Sequence, residues 1–516
     1  MANVIGRRTG TGGMVILLGV LVLLVSTAPV WATGTAESGG DGSSSSLVFG
    51  LSGSPDTLDP HATTGTLTFQ TMRSVYDTLL EPGEDGQLVP ALATSWESRD
   101  GGLVWEFTLR QGVTFHDGSS FDAADVVASL NRLRDESFGS PSAFEYEVIE
   151  SVEAPAPDRV VIRLSEPHAP LLATLASGWS AILPSELIQA GHDFGSRPVG
   201  TGPFRFVEWV RDNRIVLERN EDYWMDGRPY LDRVEFLTIT EQSVMAQALM
   251  AGQIDVADLV VEPELSMLKE APNVQIYEGT SALVMVLAMN TQRPPLDQLR
   301  VRRAINAAID KQTVMDTAYA GGEVVGTFMD VGNPYYVDFT DMYQYDPEAA
   351  AAVAADTEFD HELVISVPQN YEPHVRAAEL YHEMLRQAGF PVRLQLVEWS
   401  TWLSDVYRDS QFDLTVIGHT GKLDPDGRLA RYGTADTYVQ WEDPPTAEAI
   451  REARRESDPD RRAELYTTAL ERMARQLPFV FVGTPYRYVG LDADLRGFVM
   501  DSQLDTFDLR NLRFAE

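Results

Sequence analysis

Residues 362–418 read ELVISVPQNYEPHVRAAELYHEMLRQAGFPVRLQLVEWSTWLSDVYRDSQFDLTVIG, and this stretch decides the fold class. Its short apolar runs ELVISV, PVRLQLVEW and FDLTVIG are typical of strands. Between them, HVRAAELYHEMLRQAG has helical spacing and stops at Gly389, and TWLSDVYR predicts a second helix. Strands that alternate with helices form βαβ units around a parallel sheet. The stretch therefore predicts an α/β fold.

The elements that precede this stretch complete the pattern. LVMVLAMN, residues 283–290, is almost wholly apolar, which predicts a strand covered on both faces. The period-two alternation of GLVWEFTLR, residues 102–110, predicts a strand with one buried face, and Asp122 is placed to cap the helix that follows. The spacing of apolar residues in TFQTMRSVYDTLL, residues 68–80, predicts another helix. A β-rich segment therefore precedes the α/β half of the chain.

The N-terminal 46 residues indicate export. Arg7 and Arg8 precede the apolar run MVILLGVLVLLV, and Val30 and Ala32 occupy the two positions that a signal peptidase reads. Residues 1–32 therefore have the layout of a secretory signal. The run is short for a membrane span, and an uncleaved anchor is the alternative interpretation. Residues 33–46, TGTAESGGDGSSSS, are dominated by small and polar residues and predict a flexible leader.

Charge and cysteine content exclude several functions. With 77 acidic and 40 basic residues the chain has a formal charge of −37, which disfavours nucleic acid or an anionic membrane as a partner. The chain has 0 cysteines, which excludes disulfides, thiolate metal sites and a catalytic thiol. A lipid anchor on a cysteine is therefore not expected, and an untethered exported protein is expected in a periplasm. After the signal and leader about 470 residues remain, which is enough for two or three lobes.

Several ordered segments carry a resemblance to one family. The longest is VYDTLLEPGEDGQLVPALATSWESRDGGLVWEFTLRQGVTFHDGSSFDAADVVASLNRL, residues 75–133. PDTLDP precedes it, and PVGTGPFRFVEW, RNEDYW, LAMNTQRPPLDQLRVRRAINAAID and YDPEAA follow in that order. The chain resembles the family-5 extracellular solute-binding proteins, the dipeptide, oligopeptide, nickel and some oligosaccharide receptors of ABC importers. The resemblance covers essentially everything after residue 46.

The resemblance implies an α/β, two-lobed periplasmic-binding-protein clamp of type II-like form, with an extra β-rich third domain. The ligand would lie between lobes I and III, which close around it about hinge strands near residues 286 and 481. A permease in the inner membrane would receive the ligand from a monomeric protein that needs no cofactor. The implied parts are lobe I (residues 47–79, 199–286 and 482–516), domain II (residues 80–198) and lobe III (residues 287–481).

The loop VIGHTGKLDPDGRLARY, residues 416–432, is the first candidate for ligand contact because it follows a buried strand, where α/β sheets place their crevices. Peptide-binding relatives carry an aromatic residue here and then an aspartate for the α-ammonium group. His419 stands at the aromatic place and Lys422 near the aspartate place. If the alignment is shifted, an aspartate of the following turn takes the aspartate place. The alternative is that the aspartates of this turn are only solvated. The turn supplies Asp424, Asp426 and Arg428, of which the arginine would pair with an acid or with an anionic ligand.

A second loop, VPQNYEP, holds Gln369 and Asn370 where peptide-binding relatives carry an arginine for the α-carboxylate. The two positions at which peptide-binding relatives hold the α-ammonium and α-carboxylate groups are thus both different in this chain. A buried ammonium group without its carboxylate partner would lose several kcal/mol. Amide and aromatic groups instead suit a neutral polyhydroxyl ligand. Trp399, Trp402 and Trp441 are the tryptophans predicted to contact it, and for Trp399 and Trp402 core packing is the alternative. No metal site is assigned.

These residues predict a non-enzymatic binding component of an ABC importer. A peptide-like ligand follows from the family, whereas an oligosaccharide or another neutral solute follows from the loop residues. A secreted hydrolase is disfavoured because the chain has no GxSxG, HExxH or phosphate-loop motif. A protein that keeps the fold but presents its ligand to a sensor is a third possibility that the sequence leaves open.

Overall fold

The computed structural model describes residues 45–63, 65–83, 87–369, 371–501 and 506–515. The predicted secretory signal and almost all of the predicted leader lie outside the described residues, as does Asn370.

The strands are short apart from one. In chain order they are β1 Ser46–Leu51, β2 Leu80–Pro82, β3 Leu88–Pro90, β4 Ala93–Arg99, β5 Val104–Leu109, β6 Ile149–Ala156, β7 Arg159–Leu164, β8 Phe204–Val210, β9 Arg214–Arg219, β10 Arg233–Thr238, β11 Val256–Val260, β12 Val274–Thr280, β13 Leu283–Met289, β14 Gly322–Val324, β15 Leu363–Pro368, β16 Val392–Val397, β17 Leu414–Thr420, β18 Phe479–Asp492, β19 Leu495–Arg496, β20 Val499–Asp501, β21 Thr506–Asp508 and β22 Arg513–Phe514.

The α-helices are concentrated in the second half of the chain. They are α1 Thr66–Met72, α2 Ala123–Arg134, α3 Leu171–Ala176, α4 Ser185–Gln189, α5 Gln242–Met250, α6 Glu264–Lys269, α7 Leu299–Ala307, α8 Lys311–Ala318, α9 Pro347–Ala355, α10 Glu372–Gln387, α11 Trp399–Thr401, α12 Asp426–Leu429, α13 Pro444–Arg455 and α14 Pro459–Gln476. A π-helical segment, Trp402–Arg408, continues α11. Short 3₁₀ turns lie at Asp100–Gly102, Ala143–Tyr146, Gly178–Ser180 and Thr340–Met342.

A mixed sheet runs through the described residues in the order β16-β15-β17-β13-β18-β11-β1-β10-β9-β8, and β12 and β14 also pair with β18. Strand β15 is parallel to both β16 and β17, which confirms the βαβ arrangement predicted for residues 362–418. Strand β13 is antiparallel to its two neighbours, so the sheet is not wholly parallel. The α/β fold class predicted from the sequence is confirmed.

Strand β18 connects the two halves of this sheet. Its first residues pair with β13, from Ala288 opposite Phe479 to Met285 opposite Gly483. Its last residues pair with β12, from Tyr486 to Asp492. The chain also passes from β12 to β13 at residues 281–282, so two connections run side by side between the halves. The predicted crossings near residues 286 and 481 fall within β13 and β18, and the lobe boundaries stay a prediction.

Strand β13 is covered on both faces, as its apolar sequence predicted. Met285, Leu287 and Met289 pack into one hydrophobic cluster with α7, α8 and α10. The alternate residues Val284 and Val286 pack into a second cluster, with α13 and α14. Burial on both faces of β13 accounts for its apolar sequence.

The β-rich segment forms an antiparallel sheet of its own, in the order β4-β5-β7-β6. Trp105, Phe107 and Leu109 of β5 are buried, as the period-two alternation predicted. Helix α2 begins with a capping box. The Asp122 side chain accepts a hydrogen bond from the backbone N–H group of Asp125, and the Asp125 side chain accepts one from the backbone N–H group of Asp122. The predicted cap is therefore confirmed.

The helix predicted over residues 68–80 ends early, at Met72. The next residues turn to meet the glycine-rich segment near residue 200 instead, because the Val75 carbonyl accepts a hydrogen bond of 2.9 Å from the Gly202 N–H group. A Cβ atom on Gly202 would lie 2.5 Å from the carbonyl carbon of Val75. The backbones can approach this closely only where a glycine is present, and this tertiary contact overrides the helical spacing.

Candidate functional site

The carboxyl ends of β15, β16 and β17 carry a cluster of aromatic side chains, which we call the aromatic wall. Trp399 stacks on Trp402 at a centroid distance of 5.2 Å, and Trp402 stacks on Tyr407 at 5.8 Å. His419 stacks on Tyr438 at 5.8 Å. The members of the wall line two adjoining cavities of about 480 and 760 Å³. The members of the aromatic wall are Tyr371, Trp399, Trp402, Tyr407, His419 and Tyr438.

His419 is held as a neutral ring within this wall. Its Nε2 atom lies 2.7 Å from the Tyr438 hydroxyl, and its ring meets the edge of Phe328. Burial, helped by the nearby Arg428 guanidinium, lowers the pKa of His419 to about 3. The ring is therefore unprotonated at neutral pH and acts as an aromatic surface with a fixed hydrogen-bonding edge.

The three predicted tryptophans differ in their surroundings. Trp399 is half-buried and lines the 480 Å³ cavity. Trp402 lines the same cavity but is 3% exposed, and its indole N–H donates to the Thr415 hydroxyl at 2.9 Å. Trp441 is 4% exposed and lies in the hydrophobic cluster beneath the wall. The structure therefore brings Trp399 and Trp402 to the cavity and leaves Trp441 in the core.

The two aspartates of the DPD turn are paired with arginines from helices α13 and α14. Asp424 accepts from Arg462 through both carboxylate oxygens, at 2.6 and 2.8 Å. Asp426 accepts from Arg454 at 2.9 Å, and burial raises its pKa despite that guanidinium. Both carboxylates are nine-tenths buried or close to it. Their negative charge is therefore already matched within the protein.

Arg428 lies beneath the loop and contacts the connection between the halves of the sheet. Its guanidinium lies 3.3 Å from the Asp330 carboxylate and donates to the Ala282 carbonyl at 2.6 Å. Burial lowers the pKa of Arg428, and Asp330 opposes that shift. Because Ala282 lies between β12 and β13, Arg428 fixes the candidate ligand loop to that connection.

Lys422 extends from the loop towards the β-rich segment. Its Nζ atom lies 4.6 Å from the centroid of the Trp179 ring, which is a cation–π contact. A cavity of about 380 Å³ is lined on this side by the loop and on the other by Glu145, His168 and Trp179. The sequence did not point to these last three residues, because no motif or period marks them and only the fold brings them opposite the loop.

Gln369 is exposed at the end of β15 and donates a short hydrogen bond to the Glu398 carboxylate. Gln369 is close to the aromatic wall along the sequence and follows a strand that carries part of it, but it does not line the cavities described above. Within the described ranges, no cluster of three or more histidine, aspartate or glutamate side chains is arranged to hold a metal ion. The same residues include no helix with the length and apolarity that a membrane crossing requires.

Ligand-sized cavities at the carboxyl ends of the strands are where α/β sheets bind small molecules. The family model of bacterial extracellular solute-binding proteins, family 5 (middle part), matches residues 87–438. The chain belongs to the family-5 bacterial extracellular solute-binding proteins, as its ordered motifs predicted.

Known proteins resemble the chain along most of its length. A dipeptide-binding protein of Pseudomonas aeruginosa is 29% identical over 493 residues, which cover 88% of this chain and 92% of that protein. The structure of HbpA2 from Haemophilus parasuis is similar with a TM-score of 0.82 at 25% identity, over 91% of this chain and 100% of that one. AgaA of Agrobacterium tumefaciens, solved with agropinic acid, gives 0.73 at 26% identity, over 91% and 99%.

Proposed function

We propose that this chain is the periplasmic solute receptor of an ABC importer, and that it holds its solute in a cleft that lobe III closes against lobe I and domain II. The observation that carries the proposal is the 380 Å³ cavity, one side of which comes from the loop after β17 in lobe III and the other from the segment around Trp179 in domain II. A solute in such a cavity contacts both sides at once. Membership of the solute-binding family supports the same function.

Closure provides the mechanism. A solute that contacts both sides binds the closed form better than the open form, so its binding shifts the population towards closure. The paired connections at β12–β13 and within β18 are suited to act as the hinge, and Arg428 ties the loop to one of them. The permease in the inner membrane would then recognise the closed form, and no catalytic group is required.

A peptide-like solute is the first candidate for the ligand, because a dipeptide-binding protein is among the similar proteins. A neutral solute such as an oligosaccharide is the second candidate. Two observations favour the second: Asp424 and Asp426 are already paired with arginines, and the aromatic wall offers stacking surfaces to sugar rings. The similarity to AgaA, solved with agropinic acid, supports testing non-peptide solutes as well.

Native mass spectrometry of the purified protein tests the function, followed by a thermal-shift panel of peptides and oligosaccharides. We expect a co-purified or added solute to raise the melting temperature and to reduce the radius of gyration in small-angle scattering. Chemical turnover of a bound solute would contradict a receptor role. Fractionation of the producing cells is expected to place the protein in the osmotic-shock fluid, whereas recovery with the membranes would indicate an anchor.

A further inference from the structure

The C-terminal end of helix α13, in the predicted lobe III, contacts the β-rich segment that forms the predicted domain II. The Arg454 carbonyl, in the last turn of this helix, accepts a hydrogen bond of 2.8 Å from the Ala169 N–H group. The last carbonyls of a helix have no partner within the helix itself. Beside this bond, the Arg455 guanidinium donates to the Glu166 carboxylate at 2.8 Å. The β-rich segment thus supplies a cap and a counter-ion to a helix of the other domain.

The same helix end is connected to the wall of the 380 Å³ cavity. The Arg454 Nε atom donates to the carboxylate of Asp426, a residue that lines this cavity, at 2.9 Å. In the same loop, Leu423 packs against the hydrophobic cluster of the β-rich segment, and the Lys422 ammonium lies over the Trp179 ring at 4.6 Å. All of these contacts form between groups of the protein, so none of them requires a solute.

The ion pair between Glu166 and Arg455 lies outside the solute cavity. Neither residue lines the 380 Å³ cavity, and about half of each side chain is exposed to solvent. An exposed pair of this kind changes an equilibrium constant by a factor of only roughly 1.4 to 5. Such a factor still alters the balance between an open and a closed form, because the two forms differ by only a few kcal/mol. The pair can exist only while lobe III is in contact with domain II.

Resting on the proposed function, we infer that Glu166, Ala169, Arg454 and Arg455 hold lobe III against domain II even without a solute; we call these four residues the α13 latch. The latch makes the closed form a populated state of the solute-free protein, at about a tenth of the molecules or more. The apparent affinity of a solute that binds only the closed form is proportional to the closed fraction. The latch therefore sets the affinity from residues that do not line the cavity.

The distance between two spin labels measures closure in the solute-free protein. Because the chain has 0 cysteines, labels attached through Glu150→Cys and Glu379→Cys, at exposed positions of β6 and α10, are the only labels present. Double electron–electron resonance without solute should give two distances. One of them should become dominant when the dipeptide or oligosaccharide with the largest thermal shift is added. A single distance without solute, which that compound replaces by another, would overturn the inference.

Charge reversal in the labelled protein assigns the closed form to the latch. Glu166→Arg and Arg455→Glu should each lower the solute-free closed fraction roughly two- to fivefold, and should raise the Kd of the same compound by the same factor. The double variant restores opposite charges and should recover both quantities. Arg451→Glu is the matched control, because its partner Glu448, 2.6 Å away, lies on the same helix and both side chains are similarly exposed. An unchanged closed fraction in Glu166→Arg, or no recovery in the double variant, would overturn the inference.

The failure of this inference is distinguishable from the failure of the proposed function, because the closed fraction is measured without a solute. If a dipeptide or an oligosaccharide binds and closes the protein, but Glu166→Arg and Arg455→Glu bind it as tightly as the unmodified protein does, the receptor function stands and the latch is excluded. If no compound of either class binds, the receptor function fails. The solute-free distances in Glu166→Arg and in the double variant then still decide whether the latch exists.

Discussion

Replacement of Arg462 by methionine should strongly destabilise the protein. The guanidinium is 6% exposed, contacts both oxygens of Asp424, and also donates to the Ala453 carbonyl at 2.9 Å and the Tyr335 hydroxyl at 3.2 Å. Methionine keeps much of the apolar stem but leaves the Asp424 carboxylate buried without a counter-ion. Breaking a buried ion pair by removal of one partner costs about 3 to 5 kcal/mol, and we expect this loss in the free energy of unfolding.

Urea unfolding, followed by tryptophan fluorescence and by circular dichroism, measures the change. Coincident transitions from the two probes are needed, because a chain of this size can unfold in more than one step. Arg461→Met is the matched control: its partner Glu464 is 2.8 Å away but both side chains are more than half exposed, so the loss should stay below about 0.5 kcal/mol.

The double variant Arg462→Met/Asp424→Asn removes the orphaned charge and should recover part of the lost stability. A coupling free energy of at least about 2 kcal/mol between the two positions is expected. If Arg462→Met costs no more than Arg461→Met, the pair is not a structural ion pair. Asp424 would then be available to a ligand ammonium group, and the reasoning about the DPD turn would be wrong.

Three further outcomes are expected. The pKa of buried His61 is lowered to about 4 and that of His419 to about 3, so below about pH 6.5 the unfolded chain binds more protons than the folded protein does. The urea concentration at the midpoint of unfolding should therefore fall from pH 7 to pH 5, and a constant midpoint would contradict this. Gly202→Ala should lower the melting temperature through overpacking of about 1 to 3 kcal/mol against Val75, and an unchanged melting curve would refute the close contact. Added sodium chloride should raise the melting temperature by screening the charge of −37, whereas a flat response would exclude strong self-repulsion.

The α/β fold was predictable because it rests on local periodicity. The alternation within residues 362–418 becomes the parallel pairs β15–β16 and β15–β17, and the apolar run of β13 becomes a strand buried on both faces. The early end of the helix predicted over residues 68–80 was not predictable in this way. It depends on contact with a glycine segment more than a hundred residues further along the chain.

Only one side of the candidate ligand site was predictable from the sequence. The loop after β17 could be found because a buried strand in an α/β sheet leads to a crevice, and His419 and Lys422 do line cavities there. The pairing of Asp424 with Arg462 joins a turn to a distant helix, and no local pattern reveals it. Glu145 and Trp179 come from the β-rich segment, so only the folded chain brings them opposite the loop.

A crystal structure of the protein with the solute that it binds tests the central claim most directly. We predict density for the solute in the cavity between the loop that carries Lys422 and the side that carries Glu145 and Trp179, with the two sides closer together than in the solute-free protein. Density on an outer surface, or a solute in contact with one side only, would contradict capture between the lobes.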